Sequence, residues 1–379
     1  MIAKAVKLRN ILEVQNGFAF KTEFFHATDG VPLIRIRDLD GDTTDTHYTG
    51  EFRDEFIVSA GDYLIGMDGN FHCRRWTGTK ALLNQRVCRL RNFSPDVLPE
   101  YVFFGIQPIL KAIEASTSFA TVKHISARQI LDIALPLPPV SEQRRIVDIL
   151  SRAEGIVRLR REAEKKAAEL IPALFLDMFG DPATNPKGWP VRSLGELCDR
   201  ITDGTHQPPK FQDSGIPFIF ISNIVRGALK LDTTKYISDD TYVELTRRCP
   251  IEVGDVLYST VGSYGVPVKV DTEERFSFQR HIAHIKPKQD KLDSDFLVGM
   301  LYTPAMKAQA DSAARGIAQK TINLGEIRKY QIIAPPLNEQ QRFASRVVAA
   351  RSIQSQQSAA TDLAQATFDA LLSKVFANT

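Results

Sequence analysis

The chain has 379 residues, more than one ordinary compact domain, so two domains or a duplicated one are expected. With 43% hydrophobic and 25% charged residues it sits near the globular average, which excludes wholesale disorder, a collagen-like repeat and a mucin-like stalk. A net charge of +3 does not announce a nucleic-acid binder, so any basic surface must be made by placement.

Met1 to Asn10 lacks the apolar stretch of a signal peptide, and nothing later approaches about 18 consecutive apolar residues, so a cytoplasmic protein without a membrane segment is expected. The scattered Cys73, Cys88, Cys198 and Cys249 read as idle or buried thiols in a reducing compartment. Val31 to Arg37 alternates as a strand, Asp62 to Ile65 follows a Gly-Asp turn, and Arg86 to Arg91 alternates again. A helix is expected around Pro99 to Ser116. Pro138-Pro139, with Ser141 as N-cap and Glu142 near the positive end of the dipole, opens a helix to Ile171. Ile146, Ile149, Leu150, Ala153, Ile156, Val157, Ala163, Ala167 and Leu170 give it one narrow apolar stripe over about 45 Å. Pro172 and the segment 180–190 stop this helix and form a hinge. Strands at Ile216 to Ser222, Asp255 to Ser259 and Arg280 to Lys286, and a helix around Ser294 to Ser312, come next. A last helix, capped by Asn338, carries Phe343, Val347, Val348, Ile353, Leu363, Ala366, Ala370 and Leu371 in a weaker stripe, and is expected to need a partner.

This order is a repeat. Pro138-Pro-Val-Ser-Glu-Gln-Arg-Arg145 matches Pro335-Pro-Leu-Asn-Glu-Gln-Gln-Arg342 at a shift of 197 positions. Lys123 and Ile125 fall on Lys320 and Ile322 at the same shift, Gln85-Arg86 on Gln279-Arg280 at 194, Gly61-Asp62 on Gly254-Asp255 at 193, and Pro32 on Pro217 at 185. The drift indicates loop insertions between shared elements. The expected fold class is α+β: two tandem domains, each followed by a long helix, with the two helices packing as an antiparallel coiled coil of pseudo-two-fold symmetry. The expected divisions are 1–139 for the first domain, 140–180 for its helix, 181–190 for the hinge, 191–336 for the second domain and 337–379 for the last helix.

Enzyme templates are missing. No G-x-x-x-x-G-K-[ST] loop or strand-linked GxGxxG is present, and Gly78-Thr79-Lys80 lacks the upstream glycine that would wrap phosphates. His281 and His284, three apart on an alternating strand, face opposite sides and are not expected to share a metal; His72-Cys73 with Cys88 reads as packing. No catalytic residue, metal or cofactor is assigned to the chain.

Leu137-Pro-Pro-Val-Ser-Glu-Gln-Arg-Arg-Ile146 and its echo Ala334-Pro-Pro-Leu-Asn-Glu-Gln-Gln-Arg-Phe343 resemble the specificity (S) subunit of type I restriction-modification systems. So do the approaches Ala120-Thr-Val-Lys-His-Ile-Ser126 and Gly316-Ile-Ala-Gln-Lys-Thr-Ile-Asn-Leu324, and the Gly-Asp strand start in both copies. The resemblance covers essentially the whole chain. It implies two target recognition domains, each reading half of a split sequence in double-stranded DNA, and helices that form a spacer. It also implies modification subunits carrying S-adenosylmethionine, and a restriction subunit using ATP and magnesium, as partners. Two rivals stay open: a protein-interaction scaffold without base readout, and a hydrolase whose site is shared between the copies.

Base readout needs paired donors and acceptors on loops that can enter a groove. Copy one offers Arg35, Arg37, Asn70, Phe71, His72, Arg74, Arg75, Lys123 and His124. Copy two offers Thr205, His206, Gln207, Ser222, Asn223, Thr260, Ser263, Tyr264, Arg280, Gln319 and Lys320. Phe71 and Tyr264 are the candidates for stacking on an extruded base.

Overall fold

The computed structural model describes residues 4–116, 123–225, 227–316 and 319–376; Ala120 to Val122 and Ile317-Ala318 of the approach motifs lie outside these. The chain divides into two compact units, one of Met1–Glu162 with Ala359–Thr379, the other of Ala163–Ser358.

In unit one the alternating segments form a four-stranded antiparallel sheet in the order Glu13–Asn16, Val87–Arg91, Tyr63–Gly66, Cys73–Arg75. Unit two repeats it as Cys198–Asp203, Ile282–Pro287, Val256–Ser259, Pro267–Lys269. A second sheet sets Val31–Ile34 parallel to Ala81–Leu83, and Ile216–Ile219 parallel to Ser277–Phe278. A short antiparallel ribbon closes each domain just before its long helix, Ala5–Lys7 on Ala134–Pro136 and Val191–Ser193 on Gln331–Ile333. Mixed sheets and helices make the chain α+β.

Register corrects one sequence match. Val87 pairs with Gly66 and Ile282 with Ser259, so Arg86 corresponds to His281 and Gln85 to Arg280. The dipeptide match of Gln85-Arg86 with Gln279-Arg280 is one residue out, and on a strand such a slip would invert every side chain. The Gly-Asp turns agree in detail. Gly61 and Gly254 have φ of +100° and +94°, and Asp62 and Asp255 accept the backbone N–H of Ser59 at 2.9 Å and Glu252 at 2.8 Å.

Several expected elements are shorter. The strand from Val31 ends at Ile34, where Asp38 caps a 3-10 turn by accepting the Arg35 N–H at 2.8 Å; Arg35 and Arg37 therefore sit on a turn, not a strand. Asn223 does the same for Phe220 at 3.0 Å, which ends the strand at Ile219. The helix expected at 294–312 breaks into Ser294–Leu301 and Pro304–Ala313, because Thr303 caps Met306 and Pro304 cannot donate backward.

The first long helix spans Val140–Ala168 and the last Leu337–Phe376. Ser141 and Asn338 lie inside their first turns, and the carbonyls of Pro139 and Pro336 accept the first helical N–H groups. The first helix stops ahead of Pro172, and Leu170–Phe179 carries Pro172 in its own first turn, where an N–H has no helical partner to lose.

Each unit is built on parts of both helices. In unit one Ile146 and Leu150 share a core with Leu372 and Phe376, while Arg161 Nη2 donates to Gln365 Oε1 at 2.8 Å. In unit two Phe175 packs edge-on to Phe343 with centroids 5.6 Å apart, and Gln354 Nε2 donates to the Ala167 carbonyl at 2.9 Å. Residue numbers climb along Val140–Ala168 and Leu170–Phe179 as they fall along the last helix in both units, so this helical stretch runs antiparallel to the last helix. The stripes are only partly spent: Ile149, Ile156, Val348, Ile353 and Leu363 remain exposed. Among the described residues no helix is long and apolar enough to cross a membrane.

Candidate nucleic-acid interface

A buried glutamine joins helix to domain in each copy. Gln143, fully buried, accepts the Leu98 N–H at 2.9 Å and donates to the carbonyls of Asp96 at 2.9 Å and Pro138 at 2.8 Å. Gln340, also fully buried, accepts the Asp293 N–H at 2.9 Å and donates to the carbonyls of Lys291 at 3.1 Å and Pro335 at 2.8 Å. All the main hydrogen-bonding capacity of the amide is used. Neither glutamine is among the sequence candidates, although both stand in the repeated motif. The half-buried neighbours Glu142 and Glu339 pair with Arg145 and Arg342 one helical turn on.

The candidate loops meet on one face of each domain. In unit one the loop after Tyr63–Gly66 is stitched to the segment before residue 126: Gly69 N–H donates to Lys123 O at 3.1 Å, and Ile125 N–H to Met67 O at 2.8 Å. Gly262 to Lys320 at 3.1 Å and Ile322 to Thr260 at 2.9 Å repeat this in unit two. Gly69 and Gly262 take φ of +76° and +67°, which a residue with a Cβ rarely adopts. The turns at 84–86 and 279–281 complete the faces, since Met67 N–H reaches Arg86 O at 2.9 Å and Thr260 N–H reaches His281 O at 3.0 Å.

Side chains on these matched backbones differ. In unit one Asp68 Oδ1 lies 2.6 Å from His124 Nδ1 and its Oδ2 lies 3.3 Å from Arg86 Nε. Asp40 takes Arg74 at 2.8 Å and His72 at 3.2 Å. The Arg74 hydrogen bond holds the Asp40 carboxyl below the usual range, and burial with the Arg74 charge pushes His72 down, which favours a neutral imidazole able to donate and accept. In unit two the counterparts of Asp68 and His124 are Val261 and Thr321, and Arg280 and Lys320 are exposed. Burial and the Arg280 charge lower His281. His206 Nε2 bonds Asp203 at 2.9 Å, and Thr205 Oγ1 donates to Gln207 O at 2.7 Å, next to the Thr205–Gln279 bridge.

Three candidates are turned inward. Phe71 is 3% exposed in the core of unit one, so it offers no stacking face. Thr260 is 4% exposed, with its backbone spent on His281 and Ile322. Asn223 is 8% exposed and donates to the carbonyls of Lys230 and Asp232, both at 3.0 Å. Its role is the one Asp38 plays in unit one, a turn cap. Tyr264 is half-buried, its hydroxyl donating to Asp311 at 2.8 Å and its ring lying 4.8 Å from Lys307 Nζ, so it too is held in place. Arg35, Arg37, Asn70, Arg75, Ser222, Ser263 and Gln319 are exposed.

One constellation imitates an active site. His284 Nε2 lies 2.6 Å from Asp255 Oδ2 and its Nδ1 lies 3.5 Å from Cys249 Sγ. His284 is only 1% exposed, and Asp255 also holds Lys286 at 2.9 Å and the Glu252 N–H. With both ring nitrogens taken, it works as a buried latch. In unit one Arg89 bonds Asp62 Oδ2 at 3.0 Å from the matching strand position. Burial opposes charge on His284, but hydrogen bonds to Asp255 and Cys249 outweigh it and raise its pKa; burial likewise opposes charge on Asp255, and His284 and Lys286 outweigh it and lower it. Among the described residues no group of three His, Cys, Asp or Glu is placed to hold a metal.

Two like α+β scaffolds that carry unlike side chains at matched positions define a duplicated protein with one architecture and two different faces. The family description "Type I restriction modification DNA specificity domain" matches residues 3–169 and again 186–353, and the chain belongs to that family. It is 29% identical to the EcoBI type I restriction enzyme specificity subunit of Escherichia coli, over 90% of this chain and 78% of that one. The fold resembles the type I restriction-modification S subunit from M. genitalium, with TM-score 0.57 and 13% identity over 98% of this chain and 96% of that one. A chain from a structural study of type I R-M complex assembly gives TM-score 0.59 at 19% identity over 99% and 97%.

Proposed function

We propose that each face reads one half of an asymmetric, two-part sequence in double-stranded DNA. The observation that carries this is the pairing of one backbone scaffold with different side chains at matched positions: Asp68 with Val261, Asn70 with Ser263, Arg86 with His281, His124 with Thr321. A common scaffold keeps the approach to the duplex the same, while unlike donors and acceptors select unlike bases. In this reading the two long helices set the spacing between the half-sites.

The chain serves in this reading as a non-catalytic subunit in the cytoplasm. Modification subunits dock on the helices and bring S-adenosylmethionine; a restriction subunit brings ATP and magnesium. The exposed apolar residues left on both helices support such docking. Because the net charge is only +3, most phosphate contact falls to the partners, and the isolated chain binds DNA weakly. Sequencing of methylated DNA from a host carrying this chain and its modification subunit tests the proposal. A motif of two unlike halves separated by a gap is expected; a continuous or palindromic motif contradicts it.

A further inference from the structure

The four loops of the unit two face include residues 204–207, which return beside Gln279, and the repeat supplies a counterpart in unit one at residues 17–20. Phe18 bridges to Asn84 as Thr205 bridges to Gln279, and the Phe18 N–H reaches Leu83 O at 2.9 Å as the Thr205 N–H reaches Phe278 O at 3.2 Å. Gly17 and Gly204 fill the same niche: an added Cβ would lie 2.1 Å from the Asn84 carbonyl oxygen in one and 2.1 Å from that of Phe278 in the other. Phe18 thus stands where unit two has Thr205, in a row that continues through Asn84 to the exposed Gln85 and Arg86, and from Arg86 to Asp68 and His124.

We infer that Phe18 is a specificity-determining residue of unit one, making apolar contact with the C5 edge of a pyrimidine, the thymine methyl above all. Two features of the ring argue for this. It is 42% exposed, among donors and acceptors that suit a groove floor. It is also held from behind, by Phe20 at 5.2 Å, Phe56 at 5.1 Å and the Arg53 guanidinium carbon at 5.9 Å, so little side-chain freedom is lost on contact. Arg53 is exposed, lies over both Phe18 and Phe56, and pairs with Glu55 at 2.9 Å.

The inference rests on the half-site reading above, and one experiment separates the two. The chain is assembled with its modification subunit in a host, as wild type, Phe18→Ala and Phe18→Thr, the last being the residue unit two uses. Methylated DNA is then sequenced. Both variants are expected to lose on the order of tenfold in discrimination at one base pair of one half-site, with the other half unchanged. A two-part wild-type motif that both soluble variants reproduce at every position overturns this inference alone. A wild-type motif without two parts overturns the half-site reading and the inference with it. Should Phe18→Ala fail to fold, Phe18→Thr, which places at this position the residue that unit two carries on the same backbone, decides the matter by the same readout.

Discussion

At the scale of the residue, the repeated Pro-Pro-x-x-Glu-Gln string owes its recurrence to buried hydrogen bonding. Truncating Gln143 or Gln340 to Ala removes the buried amide partner of one backbone N–H and two carbonyls and leaves a cavity, so each variant is expected to lose about 3 kcal/mol of unfolding free energy. Denaturant unfolding measures it, and a loss below about 1 kcal/mol would show the clamp to be incidental. The His284 latch makes a pH prediction. A histidine raised above its ordinary value stabilises the fold fully below about 6.5 and less as pH climbs through the raised value. The partner Asp255, lowered, contributes above its ordinary 3.8 and fails only at lower pH. Unit two should therefore lose stability above about pH 6.5, by at most one proton, near 1.4 kcal/mol per pH unit. Thermal unfolding from pH 6 to 8.5 should show this slope in the wild type and a flatter one in His284→Gln; equal slopes would refute it. On the unit two face, Arg280→Ala should cost about 1–3 kcal/mol and relax one base pair, whereas Lys320→Ala should weaken all sequences alike and reduce the salt slope by about 1. Binding titrations of the assembled complex at several salt concentrations distinguish the two, and identical behaviour would remove the distinction between base and phosphate contact. Alternation and charge made Arg280 and Lys320 visible in the sequence. They could not show that Phe71 and Asn223 point inward, because a loop aromatic and a turn-capping amide look the same in sequence whether they face solvent or core.

At the scale of the element, the helix starts, the Gly-Asp turns and most strands were legible because prolines, left-handed glycines and alternation act locally. The errors lie where a local signal competes with a tertiary one. Asp38 and Asn223 end strands that the apolar pattern would have continued, and Thr303 with Pro304 splits a helix that periodicity alone joins. Pro172 misled in the other direction, since a first-turn proline starts a helix as readily as it stops one. The stripe of the last helix is weak in sequence, yet its end is anchored firmly: Phe376 is 2% exposed, 5.2 Å from Tyr101, and it fills the space that a Cβ on Gly105 would need. Phe376→Ala should cost about 3–5 kcal/mol in unit one. Proteolysis protection of residues 359–376 checks it, and unchanged protection would mean the helix end is held by other contacts.

At the scale of the whole molecule, duplication is the main fact. One scaffold appears twice, with matched glycines, turn aspartates and glutamine clamps, and matched positions on the two faces carry different side chains. The duplication is legible in short identical strings, but identity in a loop is a poor guide to register, and the slip at Gln85-Arg86 hides the Arg86–His281 match that backbone pairing shows. In the proposed function each unit reads its own half of the target. The most direct test alters the unit two face alone, with Arg280→Ala and His206→Ala together, and compares methylation maps with those of the unaltered chain in the same host. One half of the motif should change while the other keeps every base; a change in both halves, or in neither, would contradict the account.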